Sequence, residues 1–251
     1  EESLAHAHAR IAVSFCHSFR LRPLPLDGVY TIAVGDTVTN GLPQLGAGNL
    51  EAPGSRDTYL FNGVAGMRVY FEDLGSPAYY IYWSVQDPLG NYLFQNDLMD
   101  DGDPGLRTLN VDGVYRITVQ PSGENPDYRG PYAFRLWEVP PEQSYAIAIG
   151  DTVTNGLPAV GAGNLEVPGG GDVYTFTAVA GSRLYFEDLN SSAYYLTWSV
   201  RDPRGGYLFQ NDLLDGNDPG PFNIAVSGVY TVMVRPYVSN PAYRGPYSFR
   251  I

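Results

Sequence analysis

The chain has 251 residues, 44% of them hydrophobic and 14% aromatic, which suits one large or two ordinary domains and excludes disorder throughout. Its net charge of −12 argues against nucleic acid as a partner, because a basic face would be needed, and no apolar run is long enough to span a membrane. All 15 basic residues are arginine and Cys16 is the one cysteine, which excludes lysine chemistry and an internal disulfide framework.

Residues 1–29 form a tail that contains an apolar, strictly alternating segment, "RIAVSFCHSFRL" at 10–21. The alternation predicts a strand of about a dozen residues, which would be prone to aggregate without a partner sheet. Glu1 and Glu2 have the wrong charge for the start of a signal peptide, so we expect a mature, processed form. The candidate assembly residues lie on one face of this strand: Ile11, Val13, Phe15, Phe19 and Leu21.

Residues 30–136 and 145–251 are a tandem duplication at a constant offset of 115 residues, without insertion or deletion. "GDTVTNGLP", "GAGNLE", "YFEDL" and "YRGPY" occur in the same order in each copy. Each unit is long enough to be a domain, and the proline-containing residues 137–144 are typical of a stiff linker. The tail has the same register, since "SFRL" at 18–21 matches "AFRL" at 133–136 and the final "SFRI".

Each unit has the pattern of an all-β domain. "YYIYWSVQDP" puts Ile81, Trp83 and Val85 on an inward face, and "GVYRITV" buries either Tyr115 and its alternate neighbours or the opposite set. Turn sequences such as "VAG", "DPLG" and "SG" separate these runs. The pattern predicts about eight strands per unit, no helix, and a two-sheet sandwich or jelly roll.

"DVYTFTAVAGSRLYFEDL", "WSVRDPRGGYLF", "SGVYTVMV" and "GPYSFRI" resemble the β-sandwich repeats of the bacterial pre-peptidase C-terminal (PPC) type. The resemblance covers both copies, and its motifs are strand-and-turn patterns. It implies a secreted, jelly-roll-like module that is often appended to enzymes or surface proteins and is sometimes stabilised by calcium. It implies no activity.

The residues of nucleophilic catalysis are missing from both repeats, because all three histidines and the cysteine lie within the first 17 residues. A Ser–His–Asp or Cys–His site inside either unit is therefore excluded. Paired carboxylates would have to form duplicated active sites, which are uncommon, so we expect no enzyme. The "HAHA" of the tail has weak chelator spacing, and a solvated tail is the simpler interpretation.

Two acidic loops could each hold a hard cation, because several oxygen side chains lie within eight residues and glycines allow tight turns. A solvated turn with local hydrogen bonds explains the same residues without a metal. The candidate ligands for calcium are Asn96, Asp97, Asp100, Asp101 and Asp103, with the copies Asn211, Asp212, Asp215, Asn217 and Asp218.

A second candidate calcium set surrounds "GAGNLE", near where the resembled family tends to hold calcium. The dense acidic run often found upstream in calcium-binding members is missing, and some of these carboxylates could simply be turn residues. The set is Asn49, Glu51, Asp57, Glu72 and Asp73, with the copies Asn164, Glu166, Asp172, Glu187 and Asp188.

Several tyrosines could form an exposed platform for sugar rings, although half-buried strand positions or protein contacts are the more ordinary explanation. They are Tyr79, Tyr80, Tyr82, Tyr194 and Tyr195.

Together these patterns predict a secreted structural protein whose N-terminal strand (within residues 10–22) docks on the next copy of the chain and builds an extracellular filament. In this interpretation the partner is the protein itself, and calcium is the cofactor that stabilises the domains. The alternative is a pair of modules from a larger secreted enzyme that bind a polysaccharide or a cell surface. A monomeric, calcium-stiffened spacer is a third interpretation, which differs only in lacking the self-contact.

Overall fold

The computed structural model describes residues 27–76, 80–99, 102–189 and 195–251, and all structural statements below concern these ranges. Their regular elements are 22 β-strands, which fall into two sets of eleven. Within these ranges there is no helix of the length and apolarity that a membrane crossing requires. The structure confirms the predicted all-β class with two tandem sandwich domains.

Domain 1 contains eleven strands, of which eight have four or more residues. The strands are β1 (Gly28–Thr31), β2 (Thr37–Val38), β3 (Asn49–Leu50), β4 (Asp57–Gly63), β5 (Arg68–Asp73), β6 (Ile81–Gln86), β7 (Tyr92–Leu98), β8 (Gly105–Thr108), β9 (Gly113–Pro121), β10 (Gly130–Pro131) and β11 (Phe134–Glu138).

Domain 2 repeats this series at the same spacing. Its strands are β12 (Gln143–Ala146), β13 (Thr152–Val153), β14 (Asn164–Leu165), β15 (Asp172–Ala178), β16 (Arg183–Asp188), β17 (Leu196–Arg201), β18 (Tyr207–Leu213), β19 (Gly220–Asn223), β20 (Gly228–Pro236), β21 (Gly245–Pro246) and β22 (Phe249–Arg250).

Each domain consists of a five-stranded sheet, a four-stranded sheet and a two-stranded ribbon. In domain 1 the orders are β1-β4-β9-β6-β7, β2-β11-β5-β8 and β10-β3. In domain 2 they are β12-β15-β20-β17-β18, β13-β22-β16-β19 and β14-β21. β1 and β12 run parallel to β4 and β15, and the other pairs are antiparallel.

The two main sheets of each domain pack face to face around aromatic side chains. Trp83 of the five-stranded sheet contacts Phe71 and Phe134 of the four-stranded sheet, with ring centroids 6.3 and 5.4 Å apart. The predicted inward face of β6 is confirmed, since Trp83 and its alternate neighbours are fully buried. On β9 the buried set is the one that contains Tyr115.

The second glycine of the repeated "GAGNLE" is required because the backbone of another segment lies close to it. A Cβ on Gly48 would lie 2.2 Å from the carbonyl carbon of Thr39, and its φ is +70°. Gly163 is in the same position against Thr154. Only glycine fits such a site, which explains why both copies have it.

The domain boundaries differ slightly from those in the sequence pattern. β1 begins at Gly28 rather than at residue 30, and β11 extends to Glu138. β12 begins at Gln143, so the predicted linker 137–144 shortens to residues 139–142. The predicted strand of the tail lies outside the described residues and stays a prediction.

Candidate functional site

The acidic loop of domain 1 is held by hydrogen bonds from the protein itself. Asp97 Oδ2 accepts from the Trp83 indole N–H at 3.1 Å. Asp103 accepts from the Tyr70 hydroxyl at 2.8 Å and from the Asp73 amide at 2.7 Å, and burial raises the pKa of the Asp103 carboxyl. Two of the predicted ligands, residues 100 and 101, lie outside the described ranges. The described carboxylates thus join the loop to both sheets.

The copy in domain 2 makes the same bonds. Asp212 accepts from the Trp198 indole at 3.2 Å, and Asp218 accepts from the Tyr185 hydroxyl and the Asp188 amide, both at 2.8 Å. Burial raises the pKa of Asp212. Asp215 and Asn217 bond each other within the loop, since Asp215 Oδ1 accepts from the backbone and the side chain of Asn217. Asn211 lies in the β-bulge between β17 and β18.

Asp57, from the second predicted calcium set, belongs to a buried chain of hydroxyls. Tyr132 donates to its Oδ2 at 2.5 Å, the Tyr59 and Tyr132 hydroxyls are 2.6 Å apart, and the Gly48 amide donates to the Tyr59 hydroxyl at 2.8 Å. Burial raises the pKa of Asp57 to about 6, although the bond from Tyr132 acts in the opposite direction. Asp172 has the same arrangement and its pKa is also raised to about 6 by burial.

The other members of the second set have different partners. Glu72 and Glu187 are ion-paired with arginines, Asp73 and Asp188 accept from loop amides, and Glu166 accepts from Asn164. Within the described ranges, no three His, Cys, Asp or Glu side chains converge in a way that could hold a metal ion. Calcium binding stays a prediction, which thermal melts with millimolar calcium and with chelator would test.

The predicted tyrosine platform is described only in part. Tyr80 and Tyr195 are exposed and Tyr82 is half-buried, whereas residues 79 and 194 lie outside the described ranges. Tyr195 packs against Tyr243 with ring centroids 6.0 Å apart. The described tyrosines are consistent with either of the two sequence interpretations.

The junction between the two domains is a site that the sequence analysis missed. Glu72 on β5 lies at its centre, where Oε2 accepts from the Trp137 indole at 2.6 Å and Oε1 accepts from Arg244 of domain 2 at 3.0 Å. The Arg244 guanidinium also lies 4.7 Å from the centre of the Trp137 ring, and Arg135 lies 3.5 Å from it. The Glu72 side chain is only 8% exposed, so its charge needs a partner, and the cation paired with it is Arg244 of domain 2.

Tyr70 extends the same contact along β5. It alternates with Val69 and Phe71, which face the core, so Tyr70 lies on the outer face of the four-stranded sheet and is nevertheless fully buried. Gly169 of domain 2 packs against it, since a Cβ there would lie 2.8 Å from Tyr70 Cδ2. Burial, and then the bond to Asp103, raise the pKa of the Tyr70 hydroxyl. We call Tyr70, Glu72 and Arg135 the covered face.

Domain 2 carries the same residues at the equivalent positions, Tyr185, Glu187 and Arg250, which we call the free face. Tyr185 keeps its hydrogen bond to Asp218 but is 51% exposed. Glu187 pairs with Arg250 at 2.5 Å within its own domain, where Glu72 instead pairs with Arg244 of the other domain. Among the described residues, the free face thus carries the tyrosine, glutamate and arginine of the covered face, is not packed against another domain, and has no counterpart of Trp137.

The complementary side of the junction is also duplicated. Arg244 lies in "YRGPY", and its counterpart in domain 1 is Arg129, which is exposed. A sequence signal for the junction existed: a tyrosine and a glutamate on the outer face of a core strand, repeated together with an arginine in a loop. The pattern could not show which copy is covered.

No protein-family model matches the chain, and no curated protein matches it. Among solved structures it is similar to the CUB1-EGF-CUB2 domains of human MASP-1/3 and of rat MASP-1, at 12% identity and a TM-score of 0.28 in both cases. These alignments cover 86% and 88% of this chain, and 99% and 100% of the two structures. A likeness this weak carries no argument about function.

Proposed function

We propose that the chain is a structural rather than a catalytic protein, and that it is the subunit of an extracellular filament assembled head to tail. The observation that carries the proposal is the free face: domain 2 presents the tyrosine and the glutamate that in domain 1 contact domain 2, next to an arginine equivalent to Arg135. A heterologous contact that repeats the internal junction adds subunits head to tail, in an open filament unless its rotation closes into a ring. The extracellular location rests on the resemblance to secreted repeats.

Charge complementarity supports the same arrangement. Arg129 of a second copy would approach Glu187 as Arg244 approaches Glu72, and Arg250 would then take the place of Arg135, which does not bind the glutamate in the covered face. The contact would exchange an ion pair within a domain for one between subunits. An exchange of this kind gives orientation and specificity more than affinity.

The alternating pattern of residues 10–22 supports a role for the N-terminal strand. A strand of this kind can add to the edge of a sheet in a neighbouring subunit, where its main chain would supply the register.

The test is a charge exchange across the proposed contact, read by sedimentation velocity and negative-stain microscopy. The intact protein should form filaments, and Glu187→Arg or Arg129→Glu alone should leave monomers. The two substitutions together should restore assembly, because the pair is reversed rather than removed. Glu166→Arg is the matched control, since it changes the charge of an exposed glutamate in domain 2 outside the free face.

Deleting residues 1–22 tests the strand separately. The described strands begin at Gly28, so circular dichroism should show that both domains still fold. Sedimentation velocity should show that the shortened chain stays monomeric. Filaments from the shortened chain would contradict the role of the strand, while the charge exchange would still test the contact between faces. An intact protein that sediments as a monomer at high concentration would overturn the filament itself.

A further inference from the structure

The exposed face of the five-stranded sheet forms a polar cleft in each domain. In domain 1 it has a volume of about 390 Å³ and runs across β4, β9, β6 and β7. Its floor is a row of hydroxyl side chains on three adjacent strands, because Thr118 pairs with Thr58 on one side and with Ser84 on the other. The equivalent cleft in domain 2 has a volume of about 340 Å³.

A β-bulge brings a strained asparagine into each cleft. The register of β6 with β7 shifts around Val85, and Asn96 there has a φ of +53°, with its amide donating to Ser84 Oγ at 2.9 Å. Asn211 has the same φ and the same bond, to Ser199 at 2.8 Å. These are the two non-glycine residues with positive φ in the described ranges, and both line a cleft. Because the same unusual backbone conformation recurs in both copies, we infer that the bulge serves to direct the asparagine side chain into the cleft.

Each of the two clefts is lined by two arginines, although their positions differ between the copies. Arg56 and Arg116 line the cleft of domain 1, and no Asp or Glu is among its described lining residues. The cleft of domain 2 is lined by Arg201 and Arg235, again without an acidic residue. None of these arginines occupies equivalent positions in the two copies. Two independent placements of two arginines, in a chain of net charge −12, indicate that the cleft requires positive charge.

The arginines of domain 2 are partly held in place. The Arg201 guanidinium lies 4.5 Å from the centre of the Tyr207 ring and donates to its hydroxyl. Arg235 pairs with Glu142 of the linker at 2.5 Å. In domain 1 the corresponding ring is Tyr92, which is exposed at the edge of the cleft.

We propose that these two clefts bind an acidic polysaccharide, with one sugar segment in each domain. The guanidinium groups present paired N–H donors that match a carboxylate, and the asparagine, serine and threonine side chains can bond the sugar hydroxyls. The tyrosine ring offers an apolar surface for a sugar face. The clefts lie on the sheet opposite to the covered and free faces, and Arg56 and Arg235 are at their ends nearest the complementary side of the junction, since they also line the pockets beside Gly54 and Gly169.

The test is calorimetric titration of the full chain with galacturonate, alginate and hyaluronan oligosaccharides and with neutral glucan and xylan oligosaccharides, in buffer with chelator. Wild type should bind at least one acidic oligosaccharide at two sites and none of the neutral ones. Arg56→Gln with Arg116→Gln should weaken one site about tenfold or more, and Arg201→Gln with Arg235→Gln should weaken the other. Arg204→Gln is the matched control, because this exposed turn arginine lines neither cleft. The affinity of this variant for the oligosaccharide should change less than about twofold.

Asn96→Gly keeps the proposal falsifiable if an arginine pair affects folding. Glycine accepts the positive φ, so the fold should be retained while the site in domain 1 weakens. Equal binding of neutral and acidic oligosaccharides, no binding to any of them, or loss of affinity in Arg204→Gln as large as in the cleft variants would each overturn the proposal.

Discussion

β5 and β16 have almost the same sequence, "RVYFED" and "RLYFED", and different surroundings. In β5 four consecutive residues are buried, whereas in β16 burial alternates as expected for a strand with one solvated face. Tyr70 is fully buried and Tyr185 is 51% exposed. The difference comes from Gly169 and Arg244 of the other domain, so one sequence serves as interior in one copy and as surface in the other.

The largest effect of this difference should appear when each tyrosine is truncated. Tyr70→Ala should lower the free energy of unfolding by about 3–5 kcal/mol, because a buried aromatic ring and the junction around it are lost. Tyr185→Ala should cost about 1 kcal/mol or less in the monomer, since half of its surface is already in water. Urea denaturation of both variants measures the contrast, and equal costs would mean that domain 2 does not cover domain 1 in solution.

The buried carboxylates should behave alike in the two domains, because neither belongs to the junction. The pKa of Asp57 is raised to about 6 in the folded state from 3.8, so between these values the folded protein keeps a proton that the unfolded chain has released. The proton on Asp57 therefore adds about 3 kcal/mol to the free energy of unfolding below pH ~4. This stabilisation is lost as pH rises through ~6. Asp172 should contribute equally.

Asn variants isolate this contribution from that of the other carboxylates. The difference in unfolding free energy between wild type and Asp57→Asn should shift in favour of the variant by about 2 kcal/mol from pH 4 to pH 7. Asp172→Asn should give the same shift. A flat difference across this range would contradict the raised pKa, and unequal shifts would show that the domains differ beyond the junction.

The sandwich could be predicted from sequence because its cause is local. Alternation of apolar residues identified the inner face of β6, including Trp83, and the exact offset identified two domains. The junction has a non-local cause, since Tyr70 and Tyr185 are identical in their local sequence and only the fold brings Gly169 to one of them. The predicted metal ligands illustrate the same limit: the buried hydroxyl chain around Asp57 depends on Tyr132, far away in sequence.

The junction arginine should have a smaller effect than the tyrosine. Arg244→Gln leaves the nearly buried Glu72 without its partner across the junction, and we expect a loss of about 1–2 kcal/mol, because Arg244 is itself partly exposed. Arg129→Gln should change the stability of the monomer by less than about 0.5 kcal/mol. A double-mutant cycle with Glu72→Gln gives the coupling. Equal effects of the two arginine variants would remove the distinction between covered and free faces.

The smallest effect concerns a feature that the two domains share. Asn96 and Asn211 are held at a φ of +53°, a conformation that asparagine tolerates and glycine adopts without steric cost. Asn96→Gly and Asn211→Gly should therefore each raise the free energy of unfolding slightly, by less than about 1 kcal/mol, and by equal amounts. Asn223→Gly on β19 is the control, because that residue is not at positive φ, and it should lose about 0.5–1 kcal/mol. If the three variants are equally destabilised, the left-handed asparagines carry no strain, and the bulge would be a local preference of the strand sequence rather than a conformation that the fold of each domain imposes.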